Sequence, residues 1–309
     1  MFLFLVHIKE LKNMLIIVIT LLLMCLFIPI IFQTTFSPIV KTYSPYLPIQ
    51  DNNIIQMRNA NNIFILRTHC WNEYIHKGIW KQWMRDLPND RIFILFDLND
   101  KTDIKQTSVP EELYKYIIPI NRKMCMDLNS LDRGAWFTVE TPLVLVNKYL
   151  KKQKIRFDYL WLIEYDVRCT GNWSDLLQSS IHHCYCADFV AAAVQSFWQS
   201  PFWLGWGQLT NCSINEHIPY WWNMYKSFLP ISRYSSRLLN VYEKSIGEWT
   251  QFCEIYLPSR CMQENGFTVG NLHHKCLNQE FFTGTNIITN EKWSGNNCFP
   301  ENQFYHPIK

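Results

Sequence analysis

Two carboxylates stand two residues apart in Tyr159-Leu-Trp-Leu-Ile-Glu-Tyr-Asp-Val167, directly after an apolar, aromatic run. In an extended chain, residues i and i+2 point to the same side, so Glu164 and Asp166 present their charges together. Moving two like charges out of water is costly unless a cation lies between them. Carboxylate oxygens suit hard divalent ions such as Mn2+ or Mg2+, which also take phosphate oxygens. An acidic strand end that simply meets water is the alternative this spacing leaves open. A second set of metal-type donors is His182, His183, Cys184 and Cys186, with His273, His274 and Cys276. These could hold zinc, although C-x-C is not the usual zinc-ligand spacing. Paired or buried cysteines with surface histidines are the simpler reading.

The elements that must position the acidic pair are legible as alternating patterns. Ile63–Leu66, Arg91–Asp97, Tyr116–Ile120, Tyr159–Ile163 and Asp188–Val194 read as strands with continuous apolar character. Trp71, Ile75, Ile79, Trp83 and Leu87 recur at helical spacing. Arg133 to Lys152 suits a helix, with Pro142 predicting a kink or a break. Ser174 to Ile181 reads as a short helix with Ser174 as N-cap, and a further helical stretch is expected from about Ser232 to Tyr256. Apolar strands alternating with helices predict an α/β domain: a mostly parallel, Rossmann-like sheet covered by helices on both faces. Ligands of such sheets bind beyond the carboxyl ends of the strands, where Asp97, Glu164 and Asp166 fall.

The chain has 309 residues, with 29 Lys and Arg against 26 Asp and Glu. A net charge of +3 supplies no dense basic face, which excludes a nucleic-acid footprint. No phosphate-binding P-loop and no G-x-G-x-x-G fingerprint occurs. Residues 14–32 are apolar and uncharged, long enough to cross a bilayer as a helix. Lys9 and Lys12 precede this span, and no small-residue cleavage pattern follows it. The expected organisation is a cytoplasmic tail (1–13), a transmembrane signal-anchor (14–32), a Pro-containing stem (33–57) and a luminal domain (58–309). Of the 11 cysteines, Cys25 lies in the span. The other ten lie beyond it, which suggests an oxidising lumen and some disulfides. Asn172-Trp-Ser and Asn211-Cys-Ser are glycosylation sequons that fit the same side.

The segment around the acids resembles the metal-binding motif of GT-A fold glycosyltransferases, the nucleotide-diphospho-sugar transferases. Their usual Asp-x-Asp has Glu164 in the first position here. Trp161-Leu-Ile-Glu-Tyr-Asp-Val-Arg-Cys-Thr-Gly-Asn-Trp173 is similar to a narrower group with a W-x-x-E-Y-D-V-R strand and a following G-x-W turn. Phe228 to Leu239, Phe252 to Pro258 and Tyr305-His-Pro-Ile-Lys309 look like that group too, so the resemblance spans roughly residues 60–309. It implies a Golgi or ER single-pass type II membrane protein that transfers sugar from a nucleotide-sugar donor to a glycan, protein or lipid acceptor. It implies that Asp166, with Glu164 beside it or acting through water, holds Mn2+ or Mg2+, that His306 is a third ligand and that Lys309 contacts phosphate. An inverting enzyme needs a carboxylate base, for which Glu254 is the first candidate and Glu248 the second. Arg67 and Asp97 would contact base or ribose, or else form salt bridges. Trp198, Trp203, Trp206, Trp221 and Trp222 would stack on sugar faces, or else pack as core and lid. Two other functions compete: a glycoside hydrolase built on a carboxylate pair, and a membrane-anchored carbohydrate-binding or interaction domain without catalysis.

If the span is retained, N-terminal sequencing of protein isolated from cells will find residues 14–32 in the mature chain. A mature start beyond residue 32 contradicts the anchor.

Overall fold

The computed structural model describes residues 60–129, 139–206, 223–246, 252–282, 287–295 and 299–309. The expected tail, span and stem lie outside the described residues, as do Glu248, Asn211, Cys212, Trp221, Trp222 and Cys298. Among the described residues, no helix is long and apolar enough to cross a membrane.

Seven strands form one sheet: β1 (Asn62–Thr68), β2 (Ile92–Asp97), β3 (Ile117–Ile120), β4 (Tyr159–Glu164), β6 (Phe189–Ser196), β7 (Tyr225–Ser235) and β8 (Val269–Asn271). Their order is β3-β2-β1-β4-β7-β6-β8. A separate two-residue strand, β5 (Arg168–Cys169), pairs elsewhere. The pairs β1–β2, β1–β4, β2–β3 and β6–β8 are parallel, whereas β7 runs antiparallel to both its neighbours. The sheet is therefore mixed but mostly parallel, with β7 alone reversed.

Alternation along the central strands feeds two cores. Phe64, Leu66, Ile92, Ile94, Phe96, Trp161 and Ile163 point to one face. Ile63, Ile65, Phe93, Leu95, Leu160 and Leu162 point to the other. Both sides are covered, which is why these strands carry no polar face. The first face packs against α1, a continuous helix of Glu73–Ile75, His76–Trp80 and Lys81–Asp86, whose middle segment is a π turn. A strict four-residue repeat of apolar side chains drifts around an ideal helix of 3.6 residues per turn. The wider π turn absorbs that drift, so Ile75, Ile79 and Trp83 all stay buried.

Helix α2 (Arg122–Leu128) follows β3. The second face packs against α3 (Glu140–Lys152), and α4 (Trp173–Ser180) joins α1 on the first. Pro142 is the third residue of α3, where its missing N–H has no helical partner to lose, so it neither kinks nor breaks the helix. The N-cap of α4 is Asn172, whose side chain accepts from Asp175 N at 3.1 Å; Ser174 is already inside the helix. The capping residue is also the sequon asparagine.

The expected helix from Ser232 is a strand up to Ser235. Ser235 caps α5 (Ser236–Ser245) by accepting from Leu238 N at 3.2 Å. α6 (Cys253–Gln263) is a separate helix. From Leu229 to Ser235 β7 is buried without a break, so that half of the strand shows no alternation. Pro230 in this central strand sits where β6 breaks register, between the pairs Ala191–Ser232 and Ala192–Phe228, so it removes no ladder bond there. β6 is accordingly separated from β4 by β7 and is not its neighbour. Asp188 ties this edge together: its carboxylate takes Ser235 Oγ at 2.6 Å, Arg237 Nε at 2.6 Å and Thr268 N at 3.1 Å.

Gly78 lies in the π turn of α1, where an added Cβ would sit 2.8 Å from Arg168 Nε. Alanine in an open helix is worth about 0.5–1 kcal/mol over glycine. Overpacking against a buried guanidinium that is bonded in place costs about 1–3 kcal/mol. The clash wins: Gly78→Ala should lower the midpoint of urea unfolding, and an unchanged or raised midpoint would show that Arg168 is free to move.

Candidate metal centre

β1, β2 and β4 end at one edge of the sheet. Arg67 and Glu164 stand opposite each other in the parallel register. Arg67 NH1 donates to Glu164 Oε1 at 3.2 Å, so the expected salt-bridge role of Arg67 is realised with the first acid of the motif. Asp97 ends β2 and accepts from Asn99 N at 2.8 Å. After β4 the chain turns, with Val167 N bonded to Glu164 O at 3.1 Å. Arg168 is 1% exposed and fixes this turn, since NH1 donates to Tyr165 O at 2.6 Å and to Val167 O at 3.0 Å. Burial pulls the Arg168 guanidinium down to about 10, against the nearby charge of Asp166.

The other half of the site comes from far along the chain. β9 (Phe304–Tyr305) pairs antiparallel with β5. Phe304 packs on Trp173 at 5.6 Å between ring centroids, and Tyr305 packs on Trp293 and Phe299. A Cβ on Gly171 would lie 2.7 Å from Asn302 Oδ1, so glycine lets the Asn302 side chain keep this position. The Gly171 and Trp173 of the G-x-W turn thus both serve to seat residues 302–305. Ile308 N then donates to Asp166 O at 2.9 Å.

This docking brings His306 and Lys309 to the acids. His306 Nε2 lies 3.6 Å from Asp166 Oδ1 and 3.9 Å from Glu164 Oε2. Lys309 Nζ lies 3.5 Å from Asp166 Oδ2. His306 Nδ1 donates to Phe281 O at 3.3 Å, with the ring held against Phe228 and Phe281. A carbonyl can only accept, so in the neutral ring Nε2 turns its lone pair toward the carboxylates, the arrangement typical of ligating histidines. One ligand atom each from Glu164, Asp166 and His306 lies within 4.8 Å of the others. Asp166 is 4% exposed, and its Oδ1 is buried without a hydrogen-bond partner. A buried, unsatisfied carboxylate oxygen facing an imidazole lone pair fits a cation between them.

The centre opens on a cavity of about 640 Å³. Asp97, Glu164, Asp166 and Glu254 face Arg67, His306 and Lys309 there, so the described metal, nucleotide and base candidates chosen from sequence line this one cavity. Burial raises the Glu164 carboxyl; the Arg67 cation opposes this and the Asp166 charge adds to it. Glu254, in the first turn of α6, is pushed up to about 8 by burial first and then by Glu164, with Lys226 opposing. Burial and the neighbouring Asp166 push the Tyr165 phenol up to about 12.

Sequence reasoning missed Arg168 as the residue that sets the turn, and Phe228 as the wall behind His306. Both lie inside segments that carry the resemblance, so their signal was proximity to the motif. Of the two alternatives for the tryptophans, the described ones show the packing one: Trp203 meets Trp206 at 5.2 Å and Phe252 at 6.2 Å, and none of Trp198, Trp203 and Trp206 lines the cavity. None of the eight described cysteines forms a disulfide. Cys169, Cys184 and Cys276 pack in the first core, and Cys125, Cys253 and Cys261 in the second, as small apolar side chains.

Set against known protein families and against curated proteins, the chain matches none of them.

Proposed function

We propose that residues 58–309 form a metal-dependent nucleotide-diphospho-sugar transferase of the GT-A type, acting on a glycan, protein or lipid acceptor. The observation that carries this reading is the orphaned Asp166 Oδ1, set beside Glu164 and His306 at the carboxyl edge of a mostly parallel sheet. Two carboxylates and one imidazole suit Mn2+ or Mg2+, and Asp166, Glu164 and His306 are the residues that would hold it. When bound, the ion neutralises charge that develops on the departing nucleoside diphosphate. Arg67 keeps Glu164 in place and adds positive charge at the nucleotide side. Lys309, half-exposed at the rim, meets a phosphate oxygen, and Asp97 accepts from ribose or base.

Glu254 takes the proton of the acceptor hydroxyl. A base whose affinity for protons lies near the working pH is the most effective one, and about 8 meets that condition. The luminal, membrane-anchored placement implied by residues 14–32 belongs to the same proposal. A glycosidase is the second reading, favoured by the proton that Glu254 holds at neutral pH. Glu164 and Asp166, with ligand atoms within 4.8 Å, stand closer than the roughly 5–9.5 Å between glycosidase carboxyls, so Glu254 would have to be one of the pair. Incubation with nucleotide-sugars and Mn2+ separates the options: a transferase releases nucleoside diphosphate, a glycosidase cleaves an aryl glycoside without metal, and a binding domain does neither.

Asp166→Asn should lower transfer by about 10²-fold or more, since it removes a metal ligand. Glu164→Gln should cost less, because Glu164 shares its charge with Arg67. Without metal, the Asp166→Asn protein should melt at the same temperature or higher, because a buried like charge is gone. Its Mn2+-dependent rise in melting temperature should vanish. Full activity with an intact Mn2+ response would reduce the acidic pair to an ordinary strand end.

The pH dependence follows from Glu254. Its proton is held more tightly in the folded than in the unfolded chain, so folding is favoured most at low pH. That contribution is lost as pH rises from the ordinary value of 4.5 to about 8, and levels off above. Thermal melts of metal-free protein across this range should show the decline, and Glu254→Gln should flatten it. The same change should cut transfer roughly 10²–10⁴-fold and remove the rise of rate with pH. Transfer that keeps its pH profile in Glu254→Gln would assign the base elsewhere.

A further inference from the structure

Four histidines that play no part in the acidic centre come together on the same molecule. His182 and His183 lie in the turn after α4, and His273 and His274 follow β8. The two segments are joined by their backbones, His273 N donating to Ser180 O at 2.7 Å. Ring centroids are 5.1 Å apart for His182 and His183, 4.9 Å for His182 and His273, and 5.6 Å for His183 and His273. Imidazoles sharing one tetrahedral ion at a metal–nitrogen distance of about 2.0–2.1 Å have centroids roughly 5 Å apart. The triangle of rings is therefore already the right size.

The hydrogen bonding agrees. His182 Nδ1 donates to Ser179 O at 2.8 Å, which leaves Nε2 as the atom with a free lone pair. His183 Nδ1 is buried with no hydrogen-bond partner. A cavity of about 410 Å³ opens on these rings and shares no lining residue with the first cavity. Its far wall is the irregular stretch of β6, where Val194 N donates to Asn271 Oδ1 at 2.6 Å and Asn271 Nδ2 returns a bond to Val194 O at 3.2 Å. The platform is thus fixed by a backbone bond and the wall by the Asn271 side chain.

We propose that His182, His183 and His273 form a second metal centre, which takes Zn2+ through three imidazole nitrogens and leaves a fourth position open to this cavity. In the structure the rings stand edge to face, and their nitrogens are not gathered as the ligand atoms of the first centre are. A half-turn about Cβ–Cγ exchanges ring carbons for nitrogens while keeping the ring plane. His182 keeps the orientation that its bond to Ser179 O fixes, so the turn falls to His183 and His273, whose side chains are only partly buried. The donor set separates the two centres chemically: imidazole favours Zn2+, and carboxylate oxygen favours Mn2+ or Mg2+. The bound ion would clamp the turn after α4 to the segment after β8.

The test uses the untagged full-length chain, stripped with chelator and then melted with Zn2+ alone. At roughly a hundred-fold excess over the Kd, the melting temperature should rise by about 5–10 °C. The rise should disappear in both His182→Gln and His273→Gln, and persist in Asp166→Asn. Absence of the rise, its survival in both histidine variants, or its loss in Asp166→Asn overturns the proposal. Should a histidine variant fail to fold, Co2+ is added to the Asp166→Asn protein. The intense visible absorption of four-coordinate Co2+ then supports the centre, and its absence overturns it.

Discussion

The acidic site exists because residues 302–309 dock along the chain that leaves β4. Glu164 and Asp166 would otherwise be two carboxylates at a strand end, with Arg67 engaging only the first. The β5–β9 pairing, the bond from Ile308 N to Asp166 O and the seating of Phe304 on Trp173 carry His306 and Lys309 into reach. A small satellite core of Ile288, Tyr305 and Ile308, with Trp293 and Phe299 against it, holds the docked segment from outside. Gly171 and Gly78 contribute by what they lack, since each admits a neighbour that a methyl group would displace.

The charge arrangement leaves Asp166 exposed to its own repulsion. Two strong cations are close, but each has other work. Arg168 is turned into the backbone of the acidic turn, and Arg67 is committed to Glu164. Lys309 reaches only Oδ2, and from the rim. The inner oxygen meets the Nε2 side of an imidazole whose Nδ1 is bonded to Phe281 O. Such an interior holds together through the surrounding hydrophobic cores.

Much of this was legible in the sequence because central parallel strands are apolar throughout. β1, β2 and β4 announce themselves, and the acids at their ends follow from where those runs stop. The helix α1 was visible through its four-residue repeat. The reversed strand β7 was not: buried on both sides and interrupted by Pro230, it shows neither alternation nor an apolar run, and its serines mimic helix starts. Serine and asparagine cap equally well by type, so Ser174 and Asn172 compete in the sequence and only the turn geometry places Asn172 there. Cysteine number suggested pairing, but six of the eight described thiols fill core positions suited to any small apolar side chain. The approach of His306 depends on contacts no local pattern encodes, and it was reached only through resemblance.

Asp166 and His306 are separated by 140 positions in sequence. Contacts at that range close large loops, and they form late compared with the helices and neighbouring strands. The sheet can therefore be complete while its chemistry is still missing. A molecule whose strands have paired but whose residues 302–309 have not docked is folded by most measures and still lacks His306 and Lys309 beside the acids. The reverse opening, in which this short segment lifts away alone, would disconnect the centre without unfolding either core. Assembly of this site thus depends on a long-range contact that neither core requires.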